Sequence, residues 1–133
     1  MDLHKRGMDI GKRIFGGKFL EENKVHFWLI HETRPFMRCM HQYSLCLYES
    51  GKLSLSVEIL EEMLELNPND NQGVRDFLML YLIEIGENEK YKNYAKKYKW
   101  DNSVFSLFNA VLFSFKTKGS SEATVIFPKN RNN

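Results

Sequence analysis

Apolar residues recur along most of this chain at spacings of three and four, which is the period of an α-helix with one buried face. After Gly51 they fall at positions 53, 57, 60 and 64, while glutamates mark the polar side of the same segment. These spacings are those of a helix and not of a strand. The pattern therefore predicts an all-α fold.

Three glycines divide the predicted helices at a regular interval. Gly51, Gly86 and Gly119 are 35 and 33 residues apart, which brackets a period of 34 residues. Apolar residues precede each glycine by four and by eight positions: Leu47 and Tyr43, Leu82 and Leu78, Phe115 and Val111. Eleven positions before, Met40 and Phe108 extend the stripe, and the second copy departs from it. We expect each stripe to be one helix face that ends in a turn.

The glycine spacing predicts a series of helical hairpins. The first pair begins with a helix at about residues 35–50, and its partner follows Gly51 and ends before Pro68, where Asn69 or Asp70 can cap the next helix. The second pair covers about residues 71–85 and 88–99, and one further helix covers about residues 102–116. A separate N-terminal helix is expected at about residues 19–30.

Residues Met37 to Asp70 resemble a tetratricopeptide repeat. The likeness is carried by residue types at the family's spacing: Met40, Tyr43, Leu47, Gly51, Ser56, Leu60 and Pro68. Further motifs are similar to a bacterial subgroup of these proteins, which we associate with the suppressor-of-tumorigenicity-7 family: Phe27-Trp28, Glu32 to Arg38, and Asn67 to Arg75.

The resemblance covers about residues 19–124. It implies a right-handed α-α superhelix of about 2.5 tetratricopeptide-like hairpins plus an N-terminal helix, with no established enzymatic activity. In this interpretation, residues 1–18 are a flexible N-terminal lead, residues 19–124 are the helical domain, and residues 125–133 are a C-terminal tail. Ser56 stands where the family usually has alanine, which predicts slightly looser packing of the hairpin.

A helical repeat buries its faces only against neighbouring helices. The likeness stops at residues 122–124, where the second helix of a third pair would begin, and Pro128 would end any helix there. The predicted helix at residues 102–116 is therefore expected to keep an incompletely covered apolar side. We predict that this side is a contact surface, most simply in a homodimer.

Composition and charge limit the remaining classes of function. The formal net charge of +2 is too small to require nucleic acid or an anionic membrane as partner, and no apolar run is long enough to span a bilayer. No apolar segment of a secretory signal follows the charged N-terminus. Cys39 and Cys46 are seven residues apart on one predicted helix, which prevents a disulfide within it. We therefore expect free thiols in a reducing cytoplasm.

Several segments are similar to catalytic or ligand-binding motifs without completing them. Residues 11–19 contain glycines and lysines but lack the spacing and the hydroxyl of a phosphate-binding loop. His31-Glu32 could begin a zinc-binding helix, but Pro35 occupies the position of the second histidine. The alternating asparagines near Pro68 are similar to a calcium loop, yet Gln72 stands where glycine is required. We expect no cofactor, no metal and no enzymatic activity.

Cys39, His41 and Cys46 form the one remaining group with nucleophilic or metal-ligating chemistry. The two thiols share a face of the predicted helix, while His41 points elsewhere. We expect both cysteines to pack in the core. Metal ligation or nucleophilic catalysis by this group is the alternative.

In tetratricopeptide arrays the first helix of each pair lines a concave groove, and the resemblance implies that positions 2, 5, 9 and 12 of each unit face it. The candidate partner-binding residues are Arg38, His41, Leu45 and Tyr48, then Gly73, Asp76, Leu80 and Ile83, then Ser106, Asn109, Phe113 and Lys116. Leu45, Leu80 and Phe113 are equivalent positions and form an apolar row. Such a row suits a helix or an extended peptide of an unidentified partner protein. The alternative is that the N-terminal helix folds back over the row.

Nucleic-acid binding is the second class of function that the sequence permits. Residues 90–99 interleave lysines with tyrosines, a combination that supplies cations for the phosphates and rings for base stacking. The tyrosines recur at helical spacing on the predicted core face, whereas the lysines fall on the solvated face. We therefore rank this alternative below binding of a protein partner.

Overall fold

A computed structural model of the chain describes residues 2–119. These residues form six α-helices and two short 3-10 turns, with no strand among them: α1 (Asp2–Glu22), the turns Phe27–Leu29 and His31–Thr33, α2 (Arg34–Glu49), α3 (Leu53–Leu66), α4 (Val74–Ile85), α5 (Asn88–Lys97) and α6 (Val104–Lys118). The predicted all-α class is confirmed. The handedness of a superhelix stays a prediction, and the C-terminal tail at 125–133 lies outside the described residues.

The described residues pack as two compact units that divide inside α4, between Leu78 and Met79. Unit 1 contains α1, α2, α3 and the start of α4. Unit 2 contains the rest of α4 with α5 and α6. None of the described helices combines the length and the apolarity that crossing a bilayer requires.

The two glycine turns between paired helices share one backbone geometry. Gly51 has φ 74° and Gly86 has φ 79°, in the left-handed region that favours glycine. The N–H of Lys52 donates to Leu47 O at 2.8 Å, and the N–H of Glu87 donates to Leu82 O at 2.9 Å. This hydrogen bond closes the last turn of a helix in the Schellman motif. Both predicted turns are therefore present where the glycine spacing placed them.

The core of unit 1 centres on α2, which packs against α1 on one side and α3 on the other. Between α2 and α3, Ser56 and Ser44 are fully buried. The Ser56 hydroxyl donates to the carbonyl oxygen of Ser44 at 2.8 Å. Ser56 thus adds a satisfied hydrogen bond at the contact of the two helices.

The N-terminal region differs from the expectation of a flexible lead at residues 1–18 and a helix at 19–30. Residues 2–22 form α1, with a kink at Gly16, where φ is 74° and ψ is 159°. The helix approaches α2 closely because Gly7 and Gly11 carry no side chain; a Cβ atom at Gly7 would lie 2.6 Å from Cys39 Sγ. The two glycines therefore serve as a packing face.

Residues 23–33 fix the connection between α1 and α2 by burying an aromatic ring. Phe27 is fully buried and meets the rings of Phe15, Phe19 and Phe36 at centroid distances of 5.7, 6.1 and 5.8 Å. The Thr33 hydroxyl donates to the carbonyl oxygen of Phe27 at 2.5 Å. Phe27 therefore belongs to the core of unit 1.

Candidate interaction surfaces

The apolar face of α6 is exposed at positions that are buried in the first repeat. Leu47 and Phe115 both precede a glycine by four residues, yet 2% of Leu47 is exposed and 55% of Phe115. Met40 and Phe108 both precede a glycine by eleven residues, and their exposed fractions are 0% and 57%. In unit 1, α3 packs against α2. No described helix follows α6 to cover the equivalent face.

Further apolar side chains enlarge this surface. They are exposed residues of α6 and of the turn before it: Trp100, Val104, Phe105 and Leu107. Isolated apolar residues are common on protein surfaces, whereas several large ones exposed on one helix make that helix a candidate interaction surface. We call Trp100, Val104, Phe105, Leu107, Phe108 and Phe115 the α6 face.

The opposite side of α6 is fixed to the rest of unit 2. The Phe113 ring stacks on Tyr91 with a centroid distance of 4.3 Å. The Lys116 ammonium donates to the carbonyl oxygen of Ile83, at the end of α4, at 2.9 Å. At the start of the helix, the Ser103 hydroxyl accepts from the N–H of Ser106 at 3.2 Å. These contacts hold α6 so that its apolar face points outward.

The predicted groove residues of unit 2 are mostly engaged in these internal contacts. Ile83 and Asn109 are buried, and their role in contacting a partner stays a prediction. The hydrogen bond from the Lys116 ammonium to the carbonyl oxygen of Ile83 connects α6 to the end of α4. Leu80 and Phe113 are half-buried, and Lys116 is exposed.

The predicted groove residues of unit 1 are more accessible. Arg38 is exposed on α2, while His41, Leu45 and Tyr48 on the same helix and Asp76 on α4 are half-buried. The row of Leu45, Leu80 and Phe113 spans the two units and stays a prediction from the repeat spacing.

His41 is held in a partly apolar setting within unit 1. Its ring lies 5.8 Å from the Phe77 ring, edge to face, and its Nε2 atom is buried without a hydrogen-bond partner among residues 2–119. Burial lowers the pKa of His41, and the nearby Asp70 carboxylate opposes that shift. The imidazole is therefore neutral at neutral pH.

Asp70 organises the proline turn between the two repeats. Its carboxylate accepts from the backbone N–H of Val74 at 2.8 Å and of Arg75 at 3.1 Å. The Arg75 guanidinium adds an ion pair at 2.9 Å. Of the two predicted caps for this helix, Asp70 is the one that acts. Both carboxylate oxygens serve the helix terminus, as expected for a turn and not for a calcium loop.

The thiols and other metal-ligating groups form no cluster in the described part of the chain. Cys39 and Cys46 are free and half-buried. No group of three or more histidine, cysteine, aspartate or glutamate side chains is placed to hold a metal ion among residues 2–119.

The lysine- and tyrosine-rich helix α5 separates its two residue types as the helical period predicts. Tyr91 and Tyr98 are buried, whereas the lysines of the segment are exposed. Tyr91 already stacks on Phe113. The rings that a nucleic-acid base would need are thus largely occupied by protein contacts.

A second apolar surface, which the sequence reasoning missed, lies in unit 1. Gly7 and Gly11 leave a groove between α1 and α2 with a volume of about 420 Å³, and Ile10 and Ile14 of α1 line it. The four-residue spacing of the two glycines was the available signal, since small residues one turn apart permit close helix contact.

Comparison with known proteins gave no match: no family model fits the chain, and no curated protein or solved structure is similar to it. The likeness to tetratricopeptide proteins therefore rests on the residues quoted for it.

Proposed function

We propose that this protein is a scaffold of tetratricopeptide-like hairpins that binds another polypeptide and carries out no catalysis. The observation that supports this proposal is the α6 face, whose Phe108 and Phe115 occupy positions that bury Met40 and Leu47 in the first repeat. Exposing several large apolar side chains on one ordered helix is unfavourable in water, at roughly 25 cal/mol per Å². A partner that covers them recovers this free energy.

A second copy of the chain is the simplest occupant of the α6 face. A symmetric dimer lets one apolar patch cover its own counterpart, and the apolar centre of the patch is of the kind that homodimer interfaces favour. The two lysines in the last turn of α6, Lys116 and Lys118, lie at one end of the helix. An antiparallel arrangement of two α6 helices would keep these like charges apart.

Light scattering and sedimentation over a wide range of protein concentration test the dimer. We expect a dimer for the natural protein and a monomer for the double variant Phe108→Glu/Phe115→Glu. Leu29→Glu/Leu55→Glu is the matched control, because it places the same charges at exposed apolar positions elsewhere. A natural protein that stays monomeric at every concentration contradicts the dimer. Equal dissociation of both variants contradicts the α6 face as its interface.

The concave groove remains the second proposed binding surface, for a peptide or helix of a partner protein. Its support is the accessibility of Arg38 and the partial exposure of Leu45 and Tyr48 on α2, and of Leu80 on α4. Leu45→Glu/Leu80→Glu should abolish capture of such a partner and leave helicity unchanged. Capture that is equal for the variant and the natural protein would remove the groove from the proposal.

The burial of Tyr91 and Tyr98 gives the nucleic-acid alternative no support. Binding of single-stranded DNA or RNA that falls steeply with added salt would reverse this ranking. A cytoplasmic location is also proposed, because both thiols are free.

A further inference from the structure

The groove between α1 and α2 in unit 1 has an apolar floor and one acidic rim. Gly7 and Gly11 form its floor together with Phe36, and Ile10 and Ile14 form a wall. Glu32 lies on the opposite rim. At Gly7 and Gly11 α1 lies directly against Cys39 and Phe36 of α2, so the groove beside them is shallow and bordered by the exposed side chains of Ile10 and Ile14.

One stripe of α1 has the spacing of a helix that packs against another helix. Leu3, Gly7, Ile10 and Ile14 follow one another at intervals of four, three and four, as the a and d positions of a heptad do. The exposed fractions of Leu3, Ile10 and Ile14 are 77%, 43% and 72%. The stripe extends over three helical turns, about 16 Å. It is an apolar seam with exposed charged residues of α1 beside it.

The outer flank of the seam is basic. Arg6 and Arg13 are exposed and border Ile10 together with Asp9, whose carboxylate is paired with Lys5. The nearby lysines are paired: Lys5 with Asp9 at 2.7 Å and Lys12 with Glu62 at 2.9 Å. Neither arginine forms an ion pair with another residue of the described chain. Two guanidinium groups one heptad apart can therefore each meet a carboxylate of a partner.

We propose that the α1/α2 groove binds one amphipathic helix of a partner protein, whose apolar seam packs on Ile10 and Ile14 and whose acidic side chains face Arg6 and Arg13. The Glu32 rim favours a basic residue on the other edge of that helix. This surface belongs to unit 1 and does not depend on the α6 face, so either proposal stands if the other fails.

Charge complementarity selects this occupant over three others. A second copy of α1 would bring its own Arg6 and Arg13 against the first pair, which costs free energy. Residues 120–133 contain Lys129 and Arg131 against a single acid, so they too are basic. A bilayer favours a convex apolar face with a uniformly basic border, whereas this seam is recessed at Gly7 and has an acid on its rim.

Two synthetic helical peptides provide the probe. Both have leucine at the a and d positions, and the flanking e and g positions are glutamate in one and lysine in the other. Binding of each labelled peptide to the full chain is measured by fluorescence anisotropy at physiological salt. We expect the glutamate peptide to bind at least about tenfold more tightly than the lysine peptide.

Charge reversal makes the test specific. Arg6→Glu/Arg13→Glu should weaken the glutamate peptide about tenfold or more and strengthen the lysine peptide. The control Lys52→Glu/Lys96→Glu makes the same change of net charge at exposed positions elsewhere and should leave the preference intact. Ile10→Ser/Ile14→Ser should weaken both peptides. All six substituted positions are exposed, and far-UV circular dichroism checks that each variant folds.

Three outcomes would overturn the proposal. In the first, the natural protein binds neither peptide. In the second, the arginine variant and the lysine control lose the glutamate peptide equally, which indicates attraction by net charge alone. In the third, vesicles with anionic lipid bind the natural protein, the arginine variant loses them, and the peptides bind equally. That result would assign the seam to a membrane surface.

Discussion

The carboxylate of Asp70 accepts a hydrogen bond from the backbone N–H of Val74 at 2.8 Å and so begins α4. Asp70 itself has φ 51°, in the left-handed region that aspartate and asparagine tolerate better than other side chains. The residue thus combines a strained turn, a helix cap and an ion pair with Arg75. Asp70 therefore contributes to the structure in three separate ways.

Two replacements of Asp70 should destabilise the fold by different amounts. Asp70→Ala loses the cap, the ion pair and the tolerance of positive φ, and we expect the free energy of unfolding to fall by about 2–3 kcal/mol. Asp70→Asn keeps the backbone tolerance and one acceptor, and should cost about 1 kcal/mol. Urea unfolding followed by circular dichroism measures both. Equal losses would show that the acceptor and the backbone tolerance kept by asparagine contribute nothing, and that the whole effect comes from the negative charge.

The close contact of α1 with α2 predicts opposite effects for two glycine substitutions. Gly11→Ala would place a methyl group closer to the Phe36 ring than van der Waals contact allows. It should lower the free energy of unfolding by about 1–3 kcal/mol. Gly17 has nothing within 4 Å of its Cβ position, so Gly17→Ala should be neutral or stabilising. Thermal unfolding of both variants makes the comparison. A Gly11→Ala protein as stable as the natural one would contradict the packing of α1.

The lowered pKa of His41 predicts that the folded protein loses stability in mild acid. Because burial lowers its pKa in the folded state, the unfolded chain binds a proton more readily than the folded one as the pH falls below about 6.5. The free energy of unfolding that the neutral imidazole contributes is fully present above about pH 6.5. It is lost as the pH falls from there through the folded-state pKa, by at most about 1.4 kcal/mol per pH unit.

Urea unfolding at pH 7.5 and at lower pH, for the natural protein and for His41→Gln, isolates this effect. The variant should lack this contribution to the decline, and the exposed control His31→Gln should keep it. If the natural protein and His41→Gln lose stability in parallel, the imidazole is not the group responsible.

Local rules predicted the features of this fold that depend on the backbone of a few neighbouring residues. The turns at Gly51 and Gly86 require positive φ and a hydrogen bond back to the preceding helix, and both requirements are visible as a glycine at a fixed distance from an apolar stripe. The exposed stripe of α6 followed from the same spacing, because no further helix was predicted to cover it.

The features that sequence reasoning missed depend on contacts between distant residues. Residues 1–18 were predicted to be a flexible lead, and only the contacts with Cys39 and Phe36 on α2 make Gly7 and Gly11 a packing face. Ile83 was assigned to a groove by its repeat position, yet its side chain is buried. A repeat period fixes which residues are equivalent and does not fix what packs on each of them.

Phe113 provides the final prediction, because its assigned role and its observed contact differ. The ring was predicted to line a groove, yet it stacks on Tyr91 at 4.3 Å and ties α6 to α5. Phe113→Ala should therefore lower the free energy of unfolding by about 2–3 kcal/mol, from lost burial and lost stacking. Phe105→Ala on the exposed side of the same helix should cost under about 0.5 kcal/mol. Urea unfolding of both variants, at concentrations too low for self-association, tests the difference. If both variants lose equally little stability, the stacking of Phe113 on Tyr91 does not stabilise the contact of α6 with α5, and Phe113 can line the groove as predicted.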